Sequence, residues 1–118
     1  MANPVNRGDV FLVSLRFDRP QPNTELKKYV VALQGGPDFA MADDVAVVVC
    51  STRRGTRPVR PFEVIVGTAH GFDTETVIDC RWVRTIPKPA AVRSLLKTRL
   101  TSDVMEQVSE ALVLGLQL

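Results

Sequence analysis

The stretch VAVVVCSTRRGTRPVR, residues 45–60, joins a continuous apolar run to two hydroxyls and a basic loop. The β-branched run predicts a buried strand that ends on Ser51 and Thr52. Four arginines follow at once, interrupted by Gly55 and accompanied by no acidic residue. A buried strand that ends beneath a basic, glycine-broken loop predicts the floor and rim of a site rather than an ordinary turn.

Four further apolar runs predict strands on either side of this one. They lie at residues 7–17, 27–34, 61–67 and 76–86. The second of them is too continuous in apolar residues to form an exposed edge. Pro, Gly and Asn mark the two loops at 18–25 and 35–44, with one helical turn expected around residues 38–41.

Two helices are predicted after the last of these strands. A short helix is expected at 90–96, behind Pro87 and Pro89. A longer amphipathic helix is expected within 100–118, with Thr101 or Ser102 as its N-cap and with its end near Gly115. Its apolar positions at helical spacing are Val104, Val108, Ala111 and Leu112, with Met105 beside them.

Five or six strands without helical crossovers, followed by one packed helix, predict a mainly β fold with a C-terminal α-helix. A small, strongly curved antiparallel sheet or barrel fits this order. The length of 118 residues predicts a single domain spanning residues 1–118. No apolar run approaches the roughly 20 residues that cross a bilayer, and the first residues lack the apolar core of a signal peptide. We therefore expect a cytoplasmic protein without a membrane partner.

The residue types that build metal and cofactor sites are scarce. A single histidine argues against a zinc cluster, and no glycine-rich phosphate loop is present, so we expect neither a metal nor a cofactor. His70 lies in the turn TAHGFDTE and is interpreted as a surface residue rather than a catalytic one. Cys50 and Cys80 are interpreted as structural thiols of a reducing compartment. Trp82, the one tryptophan, is interpreted as a core residue in preference to a stacking platform.

Basic residues are bunched along the chain, although the formal net charge is only +2. Four arginines and no acid lie between residues 53 and 61, and six basic residues and no acid lie between residues 81 and 99. Such bunching favours a polyanionic partner. The alternative is a solvated face that binds no ligand.

Two lysines and two hydroxyls fall at matching ends of neighbouring runs. Lys27 and Lys28 stand at the start of the second strand, and Ser51 and Thr52 stand at the end of the third. If these strands are antiparallel neighbours, the start of one lies beside the end of the other. Such a group can bind a phosphate and stabilise a pentacoordinate transition state without a metal. Taken alone, the two hydroxyls would be ordinary polar residues that end a strand.

Six segments, in this order, resemble the MazF/PemK/Kid family of toxin endoribonucleases, the toxic halves of bacterial toxin–antitoxin pairs. The segments are RGDVFLVSL (7–15), KKYVVAL (27–33), VAVVVCSTRR (45–54), PFEVIV (61–66), VIDCRWVRTI (77–86) and LTSDVMEQVSEALVLGLQL (100–118). Together they cover nearly the whole chain, and their order is more specific than any single segment.

The resemblance implies an SH3-like small barrel of five to seven strands with a C-terminal helix, assembled as a homodimer. It implies cleavage of single-stranded mRNA without a metal. In that reaction the ribose 2′-hydroxyl attacks the adjacent phosphate and leaves a 2′,3′-cyclic phosphate and a 5′-hydroxyl. It also implies a cognate antitoxin, whose acidic, partly disordered tail would cover the basic groove.

The catalytic residues of the family carry over to this sequence with substitutions. Lys28 occupies the position of a catalytic arginine, and Ser51 that of a catalytic threonine, or Thr52 if the register slips by one. Asp79 and Arg81 carry the charges of a further catalytic pair in reversed order. A lysine lacks the bidentate fork of arginine, yet its ammonium can act as a general acid. The residues expected to bind RNA are Lys27, Arg53, Arg54, Arg57, Arg60 and Arg84.

Two other functions stay open on the sequence. LKKY (26–29) stands where the family has GxRP, which is also consistent with a catalytically inactive member. The same fold includes toxins that poison DNA gyrase and cut nothing, and such a toxin would depend on residues 114–118. The basic loop favours RNA over gyrase.

Overall fold

The computed structural model describes residues 5–17, 21–93 and 96–118. Its elements are β1 (Asp9–Phe17), β2 (Thr24–Ala32), β3 (Asp44–Thr52), β4 (Glu63–Val66), β5 (Thr76–Pro87), α1 (Lys88–Arg93), β6 (Leu96–Arg99) and α2 (Ser102–Gly115). Short 3-10 helices lie at Pro37–Phe39 and Thr68–His70. The mainly β fold with a C-terminal helix is therefore confirmed. Within these described ranges, no helix is both long enough and apolar enough to span a bilayer.

The strands form one antiparallel sheet in the order β4-β5-β3-β2-β1-β6, so β3 lies inside the sheet. This position explains its continuous run of valines, because both of its faces are buried. Val45, Val47 and Val49 face one core, which includes Ala91 of α1. Val48 and Cys50 face the other core, which includes the apolar side of α2.

The sheet curls until the end of β1 reaches β5, although β2 and β3 lie between them in the strand order. Arg84 Nη1 of β5 donates to the main-chain oxygen of Arg16 at 2.9 Å. The rings of Phe17 and Trp82 have their centroids 6.3 Å apart. These contacts across two intervening strands curl the six-stranded sheet into a half-barrel, in agreement with the small SH3-like barrel that the resemblance implies.

The prediction that Trp82 packs in the core is wrong, because its side chain is 45% exposed at the seam of the half-barrel. The register between β3 and β5 shifts between Val48 and Cys50. A bulge of this kind re-aims the residues beside it, so alternation counted along β5 does not predict which of them face the core.

The short helix and the last strand also differ from the prediction. The helix covers Lys88–Arg93 instead of 90–96, since a proline in the first helical turn removes no intrahelical hydrogen bond. Residues 94 and 95 of the predicted helix lie outside the described residues. The strand β6 was not predicted. It pairs with β1, where the buried Asp9 carboxylate accepts a hydrogen bond from Arg99 Nε at 2.6 Å.

Helix α2 follows the prediction at both ends. Thr101 caps it by accepting a hydrogen bond from the Val104 N–H at 3.4 Å, and its last residue is Gly115. Its buried residues are Val104, Met105, Val108 and Ala111. Gly115 lies so close to β5 that an added Cβ would stand 2.8 Å from the carbonyl oxygen of Cys80. The helix is thereby seated directly against the sheet.

The arginine-rich loop between β3 and β4 is held by the buried Glu63. Arg57 binds its carboxylate through both terminal nitrogens, at 2.9 and 2.6 Å, and the Arg60 N–H donates to it at 2.9 Å. These hydrogen bonds, Arg57 first, outweigh the effect of burial and lower the pKa of Glu63 from 4.5 to about 2. The basic loop is therefore folded around an acid that the sequence places just after it.

The first prediction concerns Gly71, which ends the turn before Phe72 and Asp73. Its φ is +92°, and an added Cβ would lie 2.4 Å from Thr98 Oγ1 of β6. Gly55 has a φ of +75° and open space around it. We expect Gly55→Ala to cost about 1–2 kcal/mol of backbone strain, and Gly71→Ala to cost more because of the clash. Urea unfolding measures both, and equal losses would contradict the close approach to β6.

The second prediction concerns the pH dependence of stability. Since the pKa of Glu63 is lowered in the folded state, its contribution is complete above about pH 4.5 and is lost as the pH falls toward 2. Glu63→Gln should lower the free energy of unfolding at pH 7 by about 1.5–3 kcal/mol and flatten its fall between pH 5 and 2. Urea titrations at several pH values test this. Glu75→Gln, at an exposed ion pair, is the control, and parallel curves for Glu63→Gln and the parent would refute the assignment.

Candidate functional site

The candidate site arises where β2 and β3 separate. The two strands pair at only three positions, the last of which joins Val30 and Val49. From there β2 follows β1, and β3 follows β5. Extending the β2–β3 register by two residues would place Lys28 opposite Ser51. The antiparallel neighbourhood on which the predicted cluster depends is therefore present, and the two strands diverge beyond it. Lys27 and Lys28 were predicted at the start of β2 but lie inside it, because pairing with β1 extends the strand back to Thr24.

A cavity of about 320 Å³ lies between the diverging strands. Its walls are Lys27, Lys28 and Tyr29 of β2, Cys50, Ser51 and Thr52 of β3, Leu12 of β1, Thr76 of β5 and residues 72–74 of the preceding turn. Four of the residues predicted to act on the substrate thus line one cavity. They are Lys27, Lys28, Ser51 and Thr52.

These four side chains are not engaged elsewhere in the described parts of the chain, where no hydrogen bond or ion pair involves them. Each lysine ammonium carries three donors, and each hydroxyl carries one donor and two acceptor sites. Their donors are therefore available to a bound anion. Because no carboxylate of the described residues pairs with either lysine, the cavity is positively charged on its β2 side.

Cys50 lines the same cavity but is not a nucleophile. Burial raises the pKa of its thiol well above the ordinary value, with a smaller effect of the same sign from Cys80 and an opposing one from Lys28. Burial also raises the pKa of the Cys80 thiol to about 12. Both cysteines are free and buried, as expected for structural thiols. A protonated thiol contributes apolar surface rather than reactivity.

The wall of the cavity includes Asp73, which forms an ion pair that the sequence did not indicate. Lys97 of β6 donates to Asp73 Oδ1 at 2.9 Å, and its Nζ lies 5.8 Å from the centre of the Tyr29 ring. The hydrogen bond from Lys97 to Asp73 raises the pKa of Lys97. Tyr29 in turn meets Phe72 edge to face, with centroids 5.8 Å apart. This chain of contacts fixes the turn that bounds the cavity.

Asp79 and Arg81 do not line this cavity. Asp79 accepts three hydrogen bonds, all from Arg81: from its N–H at 3.0 Å, its Nε at 3.2 Å and its Nη2 at 3.0 Å. The Arg81 guanidinium lies 4.1 Å from the centre of the Phe62 ring. Asp79 stands opposite Glu63 across β4 and β5. The two predicted catalytic charges therefore neutralise each other beside the anchor of the basic loop.

The predicted RNA-binding arginines divide into engaged and available groups. Arg53 pairs with Glu75, Arg57 pairs with Glu63, and Arg84 is held by the Arg16 carbonyl. Arg54 and Arg60 are exposed, and neither side chain has an ion pair within the described residues. The Arg60 guanidinium lies 5.9 Å from the Phe62 ring centre. Arg54 and Arg60 are thus the arginines of the loop whose charge is available.

His70 lies outside the cavity, in the 3-10 helix after β4, where its Nδ1 accepts a hydrogen bond from the Gly67 N–H at 3.1 Å. Among the described residues, no three side chains of His, Cys, Asp or Glu come together as metal ligands. Sequence reasoning missed Glu63 and Asp73. Glu63 could have been noticed as the first acid after a run of arginines, whereas nothing in the sequence connects Asp73 with β2.

Solved structures share this fold over nearly their whole length. An endoribonuclease from a mycobacterial species in complex with its cognate antitoxin has a TM-score of 0.73 and 21% identity, covering 97% of this chain and 96% of its own. A second mycobacterial endoribonuclease has a TM-score of 0.72 and 23% identity over 100% and 96%. MazF in a MazE–MazF structure from Deinococcus radiodurans has a TM-score of 0.71 and 14% identity over 97% of each chain.

Two sequence comparisons give different results. None of the curated proteins matches this chain significantly. The family profile described as PemK-like, MazF-like toxin of type II toxin–antitoxin systems matches residues 6–116, which is nearly the full length. The chain therefore belongs to the PemK-like, MazF-like family of type II toxin–antitoxin toxins.

Proposed function

We propose that this single-domain toxin is a metal-independent endoribonuclease that cleaves single-stranded RNA, with mRNA as its target. The observation that carries the proposal is the convergence of Lys28, Ser51 and Thr52 on one cavity, with all of their donors available. Ammonium and hydroxyl groups at such a place can bind a phosphodiester and stabilise the charge that develops on it.

The proposed reaction is an intramolecular transfer. The ribose 2′-oxygen gives its proton to a solvent water and forms a bond to phosphorus, and the bond from phosphorus to the 5′-oxygen breaks. The products are a 2′,3′-cyclic phosphate and a 5′-hydroxyl. Lys28 stabilises the pentacoordinate phosphorus and supplies the proton that the 5′-oxygen gains. Ser51 and Thr52 donate hydrogen bonds to the non-bridging oxygens.

Asp79 and Arg81 enter the proposal in a secondary role. Their mutual hydrogen bonds leave little free charge, and they lie beside Glu63 rather than in the cavity. We assign them to positioning RNA that extends from the cavity toward β4. Lys28 and the two hydroxyls carry the chemistry.

The proposed partners follow from the family and from the charge of the surface. The toxin acts as a homodimer and is neutralised by a cognate antitoxin, as one of the similar mycobacterial structures contains such a complex. An acidic antitoxin segment would compete with RNA for Lys27, Arg54 and Arg60. Competition of this kind requires only opposite charge and a segment that orders on binding.

The third prediction tests the proposed chemistry on a long, end-labelled single-stranded RNA in excess EDTA. The parent should make discrete cuts that end in cyclic phosphate. Lys28→Ala should reduce the rate by about a hundredfold to a thousandfold, because it removes the cation at the developing charge. Ser51→Ala should reduce it less, since Thr52 lines the same cavity. Lys28→Arg tests whether the charge alone suffices.

Matched controls are available for both residue types. Lys88→Ala removes a lysine whose Nζ is bound to the Phe39 and Ala40 carbonyls, and Ser14→Ala removes an exposed hydroxyl of β1. Both should cut like the parent. A folded parent that makes no cuts would refute the ribonuclease and favour a gyrase poison or an inactive member. Full activity in Lys28→Ala would refute the catalytic role of Lys28 but not the ribonuclease function.

The fourth prediction concerns binding of a 2′-O-methyl RNA, which cannot be cleaved. Arg54→Gln and Arg60→Gln should each lower the slope of log affinity against log salt by about 0.7, the value for one phosphate contact on a single strand. Arg7→Gln should leave the slope unchanged, because its guanidinium already donates to Leu33 and Ser109. Fluorescence anisotropy at several salt concentrations gives the slopes. Identical slopes in all variants would show that the bound RNA does not contact Arg54 or Arg60.

A further inference from the structure

The cavity contains one described side chain whose charge repels a phosphate. Among the described residues that line it, Asp73 is the only carboxylate. The lysines and hydroxyls around it can all donate hydrogen bonds to phosphate oxygens. An ionised carboxylate accepts hydrogen bonds and repels an anion. Its partner in a bound RNA must therefore be a hydrogen-bond donor.

Asp73 is held in place at the mouth of the cavity. Its side chain is 76% exposed, and its Oδ1 accepts a hydrogen bond from Lys97 Nζ at 2.9 Å. Gly71 packs against Thr98, so the turn that carries Asp73 rests on the same strand as Lys97. Each carboxylate oxygen has two lone pairs, so both oxygens keep capacity to accept from a ligand. The group is exposed, and its ion pair with Lys97 of β6 favours one orientation.

Single-stranded RNA offers two kinds of donor, the ribose 2′-hydroxyl and the N–H groups of the bases. The edge of guanine presents an imino and an amino N–H side by side, which matches the two oxygens of a carboxylate. Uracil presents one N–H between two carbonyl oxygens, which a carboxylate repels. A cavity of about 320 Å³ is at the small end of ligand sites and can admit one base.

We propose that Asp73 is a specificity-determining residue that reads the base beside the scissile phosphate, selecting guanine and rejecting uracil. The inference rests on the proposed ribonuclease function. Lys97 acts as a positioning residue for the carboxylate. Lys28, Ser51 and Thr52 hold the phosphate, while Asp73 accepts from the neighbouring base across the same cavity.

The experiment maps cleavage of an RNA library with randomised positions by sequencing the product ends. The parent should favour guanine over uracil at one position beside the cut by about tenfold or more, the discrimination expected of one good bidentate pair. Asp73→Asn should lose that preference, because an amide offers one donor and one acceptor. Glu75→Gln is the matched control. Its carboxylate lies on the same turn but pairs with Arg53 outside the cavity, so the base preference should stay as in the parent.

Two outcomes of the cleavage experiment would overturn the inference while leaving the ribonuclease intact. One is an unchanged base preference in Asp73→Asn. The other is a uniform loss of cleavage at all sites in that variant, which would indicate a role in proton transfer instead. Binding of 2′-O-methyl oligonucleotides that differ in a single base separates the two proposals, since it needs no cleavage. Equal affinity of the parent for guanine and uracil oligonucleotides would also overturn the base-reading role.

Discussion

The end of pairing between β2 and β3 at Val30 and Val49 is the constraint on which the site depends. Had the ladder continued, Lys28 and Ser51 would be paired neighbours in a flat sheet with no space between them. Because each strand follows its other neighbour, a cavity opens at the point where the residues change from apolar to polar. The curl of the sheet and the shape of the site are consequences of the same divergence.

The charges of the protein serve two purposes, which the structure separates. Buried or half-buried pairs hold the framework: Glu63 with Arg57 at the basic loop, Asp79 with Arg81 within β5, and Asp9 with Arg99 between β1 and β6. Lys27, Lys28, Arg54 and Arg60 have no such partner in the described ranges and face the cavity or the solvent. The arginines of the basic loop look alike in the sequence but have different roles in the structure. Arg57 holds the loop in shape, whereas Arg54 and Arg60 are available to bind a polyanion.

Much of the fold follows from local pattern. The valine run of β3, the apolar spacing of α2 and the Thr101 cap each report a local environment, and each was predicted. The strand β6 was not, because four residues with intermediate or exposed side chains carry no strand period. Trp82 was misassigned because a bulge lies beside it, and a bulge re-aims neighbouring side chains in a way that residue type alone does not reveal. Such features depend on which distant segments pair with each other, and the periodicity of a single sequence carries no information about that pairing.

The candidate site, like the fold, combines residues that the sequence indicated with residues that only the tertiary structure brings together. The sequence indicated the residues on β2 and β3 on the condition that these strands are antiparallel neighbours, and the fold supplies that pairing. The tertiary structure alone decided that Asp73 and Lys97 join them and that Asp79 and Arg81 stand apart. The tertiary structure also decided that Arg57 forms an ion pair with Glu63. These placements depend on how far the sheet curls and where its register shifts, which are properties of strand packing rather than of any one segment.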